Sequence, residues 1–428
     1  MYFSTRCIHG FGPAPDSTGA ISTPIYQTAT FAHPGVGQST GFDYTRCVNP
    51  TRSAFESAMA ALESGSEAFA FTSGMSAIAT VLELFTPGDH LVVSTDLYGG
   101  TYRLLENISA KNGLQFSRAA TAQEITAAIT PNTVAVLVET PTNPMMQVVD
   151  ITAVAEAAHA ASALLIVDNT FLTPYFQRPL ELGADVVLHS ATKYLAGHND
   201  TLAGVVVVHD AALAERIGTL RCTIGAVLAP FDSWLALRGL KTLAVRLERQ
   251  AASAATLANW LQSHPAVHEV YYPGLENHPD RAISERQTSG HGAMISFRVS
   301  SETVAHQVLA TVKVIQFAES LGGTESLITY PFTQTHADIP EDQRRELGID
   351  ETLLRLSVGL EDVRDLVTDL DSALGLKQPP ATATNIPTGT PAQPTTTPSQ
   401  AGGPHNELKV NSSAATSLTD AEALYSLN

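Results

Sequence analysis

The sequence predicts an α/β protein built on a mainly parallel sheet, with a smaller α/β domain following it. Three observations carry this reading. From about residue 55 to residue 208, helix-like stretches alternate with short β-branched runs, the rhythm of successive strand–helix units. The runs at 134–138, 164–167, 186–188 and 205–208 are apolar throughout, as strands buried on both faces require. A helical stretch around 233–264 then leads to further strand-like segments such as 293–299. These predict a large domain over 55–250 and a second domain over 251–376.

At 428 residues, 44% hydrophobic and 15% charged, the chain has enough apolar surface for a sizeable core. Its formal charge of −18 repels phosphate backbones and anionic lipid, and no run of Lys or Arg offsets it locally. Nucleic acid and membrane surfaces are therefore not expected partners. Cys7, Cys47 and Cys222 are too few and too scattered for a disulfide framework or a zinc site. A metal-free protein of a reducing cytoplasm is expected. The first residues lack the apolar core of a signal peptide, and no run approaches the ~18 apolar residues of a membrane span. From 377 to 428 the texture changes. The part to about Gly403 is mostly Pro, Thr, Ala and Gly, which buries too little to offset its ordering entropy, so a disordered tail is expected with at most a weak helix near 421–425.

In a parallel sheet, chemistry collects at the carboxyl ends of the strands. The run 164–167 leads into Asp168, and 186–188 leads into His189-Ser190-Ala191-Thr192-Lys193. An amine, a carboxylate and two hydroxyls thus come to neighbouring strand ends. An aldehyde cofactor needs that set: an amine for a Schiff base, a carboxylate to keep a pyridine nitrogen protonated, and donors for a phosphate. Lys193, Asp168, and the pair Ser190 and Thr192 fill these roles in turn. Taken singly, each has a plainer reading as a surface lysine, a helix cap or turn formers. Their convergence is what favours the site.

Upstream, Phe71-Thr72-Ser73-Gly74-Met75 leads into an Ala-rich helix, where free amides around Ser73, Gly74 and Met75 would receive a phosphate dianion. An ordinary N-capped helix with Ser73 as cap is the plainer alternative. Tyr98 stands beside Gly99 and Gly100, which permit close approach, so its ring is placed to stack on a flat cofactor; an edge-packed turn tyrosine is the alternative. Asn143, in Thr140-Pro141-Thr142-Asn143-Pro144, sets an amide at another strand end, where it can donate to a phenolic oxygen.

Together these segments resemble the Cys/Met-metabolism family of pyridoxal-phosphate enzymes, with its cystathionine γ-synthases, cystathionine β- and γ-lyases and O-acetylhomoserine sulfhydrylases. The resemblance covers about residues 2–376 and is most specific around Ser190-Ala191-Thr192-Lys193-Tyr194. It implies a fold-type-I, aminotransferase-like architecture with pyridoxal 5'-phosphate on Lys193, and a homotetramer built as a dimer of dimers. Residues 1–54 would form an arm contacting the partner subunit. In it, Tyr44 and Arg46 match a Tyr-x-Arg segment that holds the partner's phosphate. Near the C-terminus, Glu319 and Ser320 lie in one matching segment and Arg355 in another, with Arg355 as anchor for the substrate's α-carboxylate.

The resemblance further implies a mechanism in which Lys193 is the base for the Cα proton and Tyr98 relays protons and assists the leaving group. The surrounding segments look most like bacterial cystathionine γ-synthases acting on O-acylhomoserine and cysteine. Asp43 and Glu319 suit the amino group of an incoming cysteine or the distal end of cystathionine, and several dedicated β-lyases carry an aromatic in place of Ser320. The lyases and O-acetylhomoserine sulfhydrylase are the alternatives. Some succinyl-using γ-synthases place a basic residue after the phosphate-binding arginine; here that position is Cys47. An acetyl donor is therefore expected, unless Arg103 supplies the missing charge.

Overall fold

The computed structural model describes residues 1–10 and 18–375; the expected tail lies outside the described residues. Seven strands form the first sheet: β1 (Glu67–Phe71), β2 (His90–Ser94), β3 (Gln115–Ala119), β4 (Thr133–Glu139), β5 (Leu164–Asp168), β6 (Val186–Ser190) and β7 (Gly204–Val208). They are ordered β1-β7-β6-β5-β4-β2-β3. The four apolar runs of the sequence are β4, β5, β6 and β7. All neighbours pair in parallel except β7, which is antiparallel to both β6 and β1. Parallel pairing needs a crossover, usually a helix. Such a helix, Ile151–Ala160, joins β4 to β5, whereas residues 191–203 between β6 and β7 form turns and loop, so the chain doubles back.

The sheet separates two apolar layers. Val205, Val207, Leu165 and Val167 face one, with the helix Pro50–Glu63; Val206, Val208 and Ile166 face the other, with the helices Gly74–Leu82 and Ala211–Ile224. Alternate side chains leave a strand on opposite faces, which is why continuous apolar runs occur where both faces are covered. Each such side chain, fully buried, contributes about 1.5–3 kcal/mol.

The helical stretch expected at 233–264 is two helices, Pro230–Leu240 and Leu243–Ser263, and the second runs unbroken through residue 250. A second sheet follows: β8 (Val267–Tyr271), β9 (Met294–Val299), β10 (Gln316–Phe317), β11 (Leu327–Thr329) and β12 (Leu353–Ser357), ordered β10-β11-β12-β9-β8. Its β12 is wholly buried and carries Arg355. From the long helix, Gln250 donates to the carbonyls of Gly323 (2.7 Å) and Val358 (3.1 Å), tying this sheet's connections to it.

One expectation is corrected here. Cys47 and Cys222, read as unpaired, are joined as a disulfide across 175 residues, with Cα atoms 4.9 Å apart. Nothing local announces the pair. Cys47 lies just before the helix Pro50–Glu63 and Cys222 in the last turn of Ala211–Ile224, and tertiary packing brings them together. Arg221 Nη2 donates to the Cys47 carbonyl (3.1 Å) and Arg46 Nη1 to the Cys222 carbonyl (2.6 Å). Among the described residues, no helix is long and apolar enough to cross a membrane, and no cluster of three or more His, Cys, Asp or Glu is arranged to hold a metal.

Candidate active site

The carboxyl ends of β4, β5 and β6 open into a cavity of about 410 Å³, lined among others by Tyr98, Asn143, Asp168, Lys193, Ser320 and Arg355. Lys193 is presented by the turn after β6, and its Nζ donates to Ser320 Oγ at 2.9 Å. Burial, then the neighbouring Arg355 charge, lowers the ammonium to about 8, with Glu319 opposing. The amine is thus far more available as a nucleophile or base than an ordinary lysine.

Asp168 ends β5. Its Oδ1 accepts from the Thr170 amide (3.0 Å) and hydroxyl (2.5 Å), which orients the carboxylate. Among the described residues Oδ2 has no hydrogen-bond partner. The amides of Gly74 and Met75 likewise have none, while Ser73 caps their helix by accepting from Ser76 N–H at 3.1 Å. The plainer reading of Ser73 is therefore realised, and the amides after it remain open to a ligand. A Cβ on Gly74 would lie 2.9 Å from that of Ser190, so glycine is what lets these two groups converge. Thr192 exchanges bonds with the Ala203 backbone (2.9 and 3.2 Å).

Arg355 is 2% exposed, with Nη1 donating to Asn143 Oδ1 (2.9 Å), Nη2 donating to the Ser320 carbonyl (3.0 Å) and Nε without a partner. No carboxylate pairs with it among the described residues. Burial lowers this guanidinium to about 10, still charged at neutral pH. A buried cation held only by neutral oxygens is a receptor for an anion. His336, held neutral by burial at about 4, donates from Nε2 to the Asn143 carbonyl (2.9 Å) and so fixes that loop. Ser320 has φ of 91°, a conformation costing a non-glycine residue about 1–3 kcal/mol and typical of functional sites.

The structure does not bring every expected residue here. Asp43, Tyr44 and Arg46 are exposed and outside this cavity. Asp43 accepts from Ser39 Oγ (2.5 Å), and Arg46 lies over the Tyr44 ring at 5.5 Å. Glu319 is exposed at the rim. Arg103 pairs with Asp338 on the surface and does not line the cavity. Conversely, Glu139, Thr170 and Thr335 line it and were not singled out. For Glu139 the signal was present, because it ends β4 as Asp168 ends β5.

The sequence matches the profile of the family described as Cys/Met metabolism PLP-dependent enzyme over residues 4–375. The chain belongs to this family. It is similar to a cystathionine γ-lyase of Bacillus subtilis (strain 168), with 48% identity over 87% of this chain and 99% of the relative. It is also similar to a cystathionine γ-synthase/O-acetylhomoserine (thiol)-lyase of the same organism, at 52% identity over 83% and 92%. Among solved structures, a cystathionine γ-lyase from Lactobacillus plantarum complexed with L-serine superposes with a TM-score of 0.86, at 46% identity over 88% and 99% of the two chains.

The cofactor of this PLP-dependent enzyme is therefore pyridoxal 5'-phosphate, and the cavity fits it. The free Asp168 oxygen suits a protonated ring nitrogen, the open Gly74 and Met75 amides with Ser190 suit a phosphate, and Lys193 suits the aldehyde.

Proposed function

We propose that the protein is a cystathionine γ-synthase, replacing the acyl group of O-acetylhomoserine by cysteine. In the reaction the Cγ–O bond breaks, acetate leaves, and the cysteine sulfur bonds to Cγ as its thiol proton is released. The observation that carries the amino-acid substrate is Arg355, a buried cation beside the amine of Lys193 that forms no carboxylate salt bridge among the described residues. Bound in the cavity, the cofactor supplies an electron sink for charge developing at Cα.

The chain's own groups do the rest. Arg355 holds the α-carboxylate by charge-assisted hydrogen bonds. Lys193 takes the Cα proton, its lowered affinity for protons matching the task. Asp168 keeps the ring nitrogen protonated. Tyr98 stacks over the ring and passes protons toward the leaving group, and Asn143 donates to the phenolic oxygen. Glu319, at the rim, meets the amino group of the incoming cysteine, with Asp43 contributing from the arm. We assign residues 1–54 as that arm, 55–250 as the cofactor domain and 251–376 as the substrate domain. In a dimer of dimers, the exposed Tyr44 and Arg46 would reach the partner's phosphate.

The name of the 52%-identical relative joins γ-synthase with O-acetylhomoserine chemistry, which supports both the reaction and the donor. The γ-lyase name of the 48%-identical relative supports the competing reading of cystathionine cleavage. A steady-state panel of O-acetylhomoserine, O-succinylhomoserine and cystathionine, with cysteine or sulfide as second substrate, decides. The highest kcat/KM is expected for O-acetylhomoserine with cysteine; a higher value for cystathionine cleavage would make the protein a lyase.

A further inference from the structure

Glu139 ends β4 with its Cα in register with that of Asp168 on β5. It is 6% exposed, lines the cavity and, among the described residues, makes no salt bridge. Its Oε2 accepts the backbone N–H of Tyr98 at 2.9 Å, and its own N–H donates to Ser94 Oγ at 3.3 Å. Tyr98 is the residue before the helix Gly99–Leu104, whose start has no side-chain cap. Its ring lies against Gly100, where a Cβ would approach Tyr98 Cε1 to 2.5 Å. The ring that faces the cavity is thus located by a glycine on one side and a buried carboxyl behind its backbone.

We propose that Glu139 is a positioning residue, fixing the Tyr98 backbone so that its ring presents a set face to the cofactor. This rests on Tyr98 being the cofactor platform. Asp168 and Asp96 add negative charge around Glu139, and Arg355 faces it from β12. Burial, with Asp168 next, pushes the Glu139 carboxyl well above the usual range. A carboxyl in such a place is costly to keep ionised, and stability alone gives no reason to hold it there. An acceptor aimed at the Tyr98 amide is a reason, because a shift of about 1 Å in a group bordering the chemistry can cost on the order of a hundredfold in rate.

The test compares Glu139→Gln with Glu139→Leu in the holoenzyme. Both fill the volume, but only glutamine offers an oxygen to the Tyr98 amide. Glu139→Leu should lose about tenfold or more in kcat with KM changed less than about threefold. It should also release cofactor about fivefold more readily, read by absorbance after dialysis. Glu139→Gln should recover both to within about threefold of the unaltered enzyme. If leucine fails to fold, Glu139→Asp, one methylene short of reach, should show the same losses. Wild-type behaviour of the leucine variant, or of the aspartate variant where that stands in, overturns the proposal, as does a glutamine variant as impaired as leucine. Tyr98→Ala runs alongside: if it retains cofactor normally, the platform reading fails first and takes the proposal with it.

Discussion

Arg355 Nη1 lies 2.9 Å from Asn143 Oδ1, joining β12 of the second sheet to the loop after β4 of the first. The contact consumes one side of a buried guanidinium with a neutral acceptor, and among the described residues no carboxylate forms a salt bridge with it. Arg355→Leu should raise KM for every amino-acid substrate by about ten- to a hundredfold, the worth of a charge-assisted bond of roughly 1.5–3 kcal/mol. Arg355→Lys should recover little, because an ammonium cannot reproduce the fork. An unchanged KM in the leucine variant would remove Arg355 from substrate binding.

The lysine sets a pH signature. An amine attacks an aldehyde only when neutral, and burial with the Arg355 charge lowers Lys193 to about 8. The rate at which apoenzyme takes up pyridoxal phosphate should therefore rise with pH, with its midpoint near 8. Glu319 is the group that raises the value, so Glu319→Gln should move the midpoint downward. Stopped-flow absorbance measures both; a rate still climbing above pH 10 would mean that the lysine titrates as if exposed.

Arg46 bonds within its own chain to the Cys222 carbonyl, on the outside of the fold. If it serves the partner's phosphate, mixing Lys193→Ala chains with Arg46→Ala chains should restore activity, since one site of each mixed dimer has both groups intact. Verified mixed dimers without recovery would confine Arg46 to its own chain.

The proposed acetyl donor carries its own prediction. Cys47 is bound to Cys222 and carries no charge, and Arg103 is occupied by Asp338. With neither Cys47 nor Arg103 offering a free cation to the distal succinyl carboxylate, O-acetylhomoserine should be preferred by about tenfold or more in kcat/KM. Asp338→Ala, which frees Arg103, should shift the ratio toward the succinyl ester. A tenfold preference of the unaltered enzyme for the succinyl ester would contradict the assignment.

Much of the site was legible because strand ends announce it. Asp168 directly follows one apolar run and Lys193 comes a few residues after another, and the meeting of amine, carboxylate and hydroxyls at neighbouring strand ends is what marks them. Glu139 directly follows the run 134–138 as Asp168 follows 164–167, but the cofactor roles call for a single carboxylate, which Asp168 fills. Arg355 sits inside a strand, with nothing local to separate it from a core-edge arginine, so only the resemblance pointed to it. The Cys47–Cys222 pair and the reversed β7 were not legible, since both depend on contacts between segments that packing alone brings together. Ser73 shows the opposite case: its hydroxyl caps a helix, as local chemistry prefers, while the Gly74 and Met75 amides after it stay open.

The central claim is that Lys193 holds the cofactor in this cavity, and borohydride reduction of the holoenzyme tests it most directly. Reduction should fix the cofactor to the protein irreversibly, and digestion should yield a single labelled peptide with the label on Lys193. A Lys193→Ala chain should take no label and lose several orders of magnitude in turnover. Label on another lysine, or near-normal turnover in the alanine variant, would contradict the account.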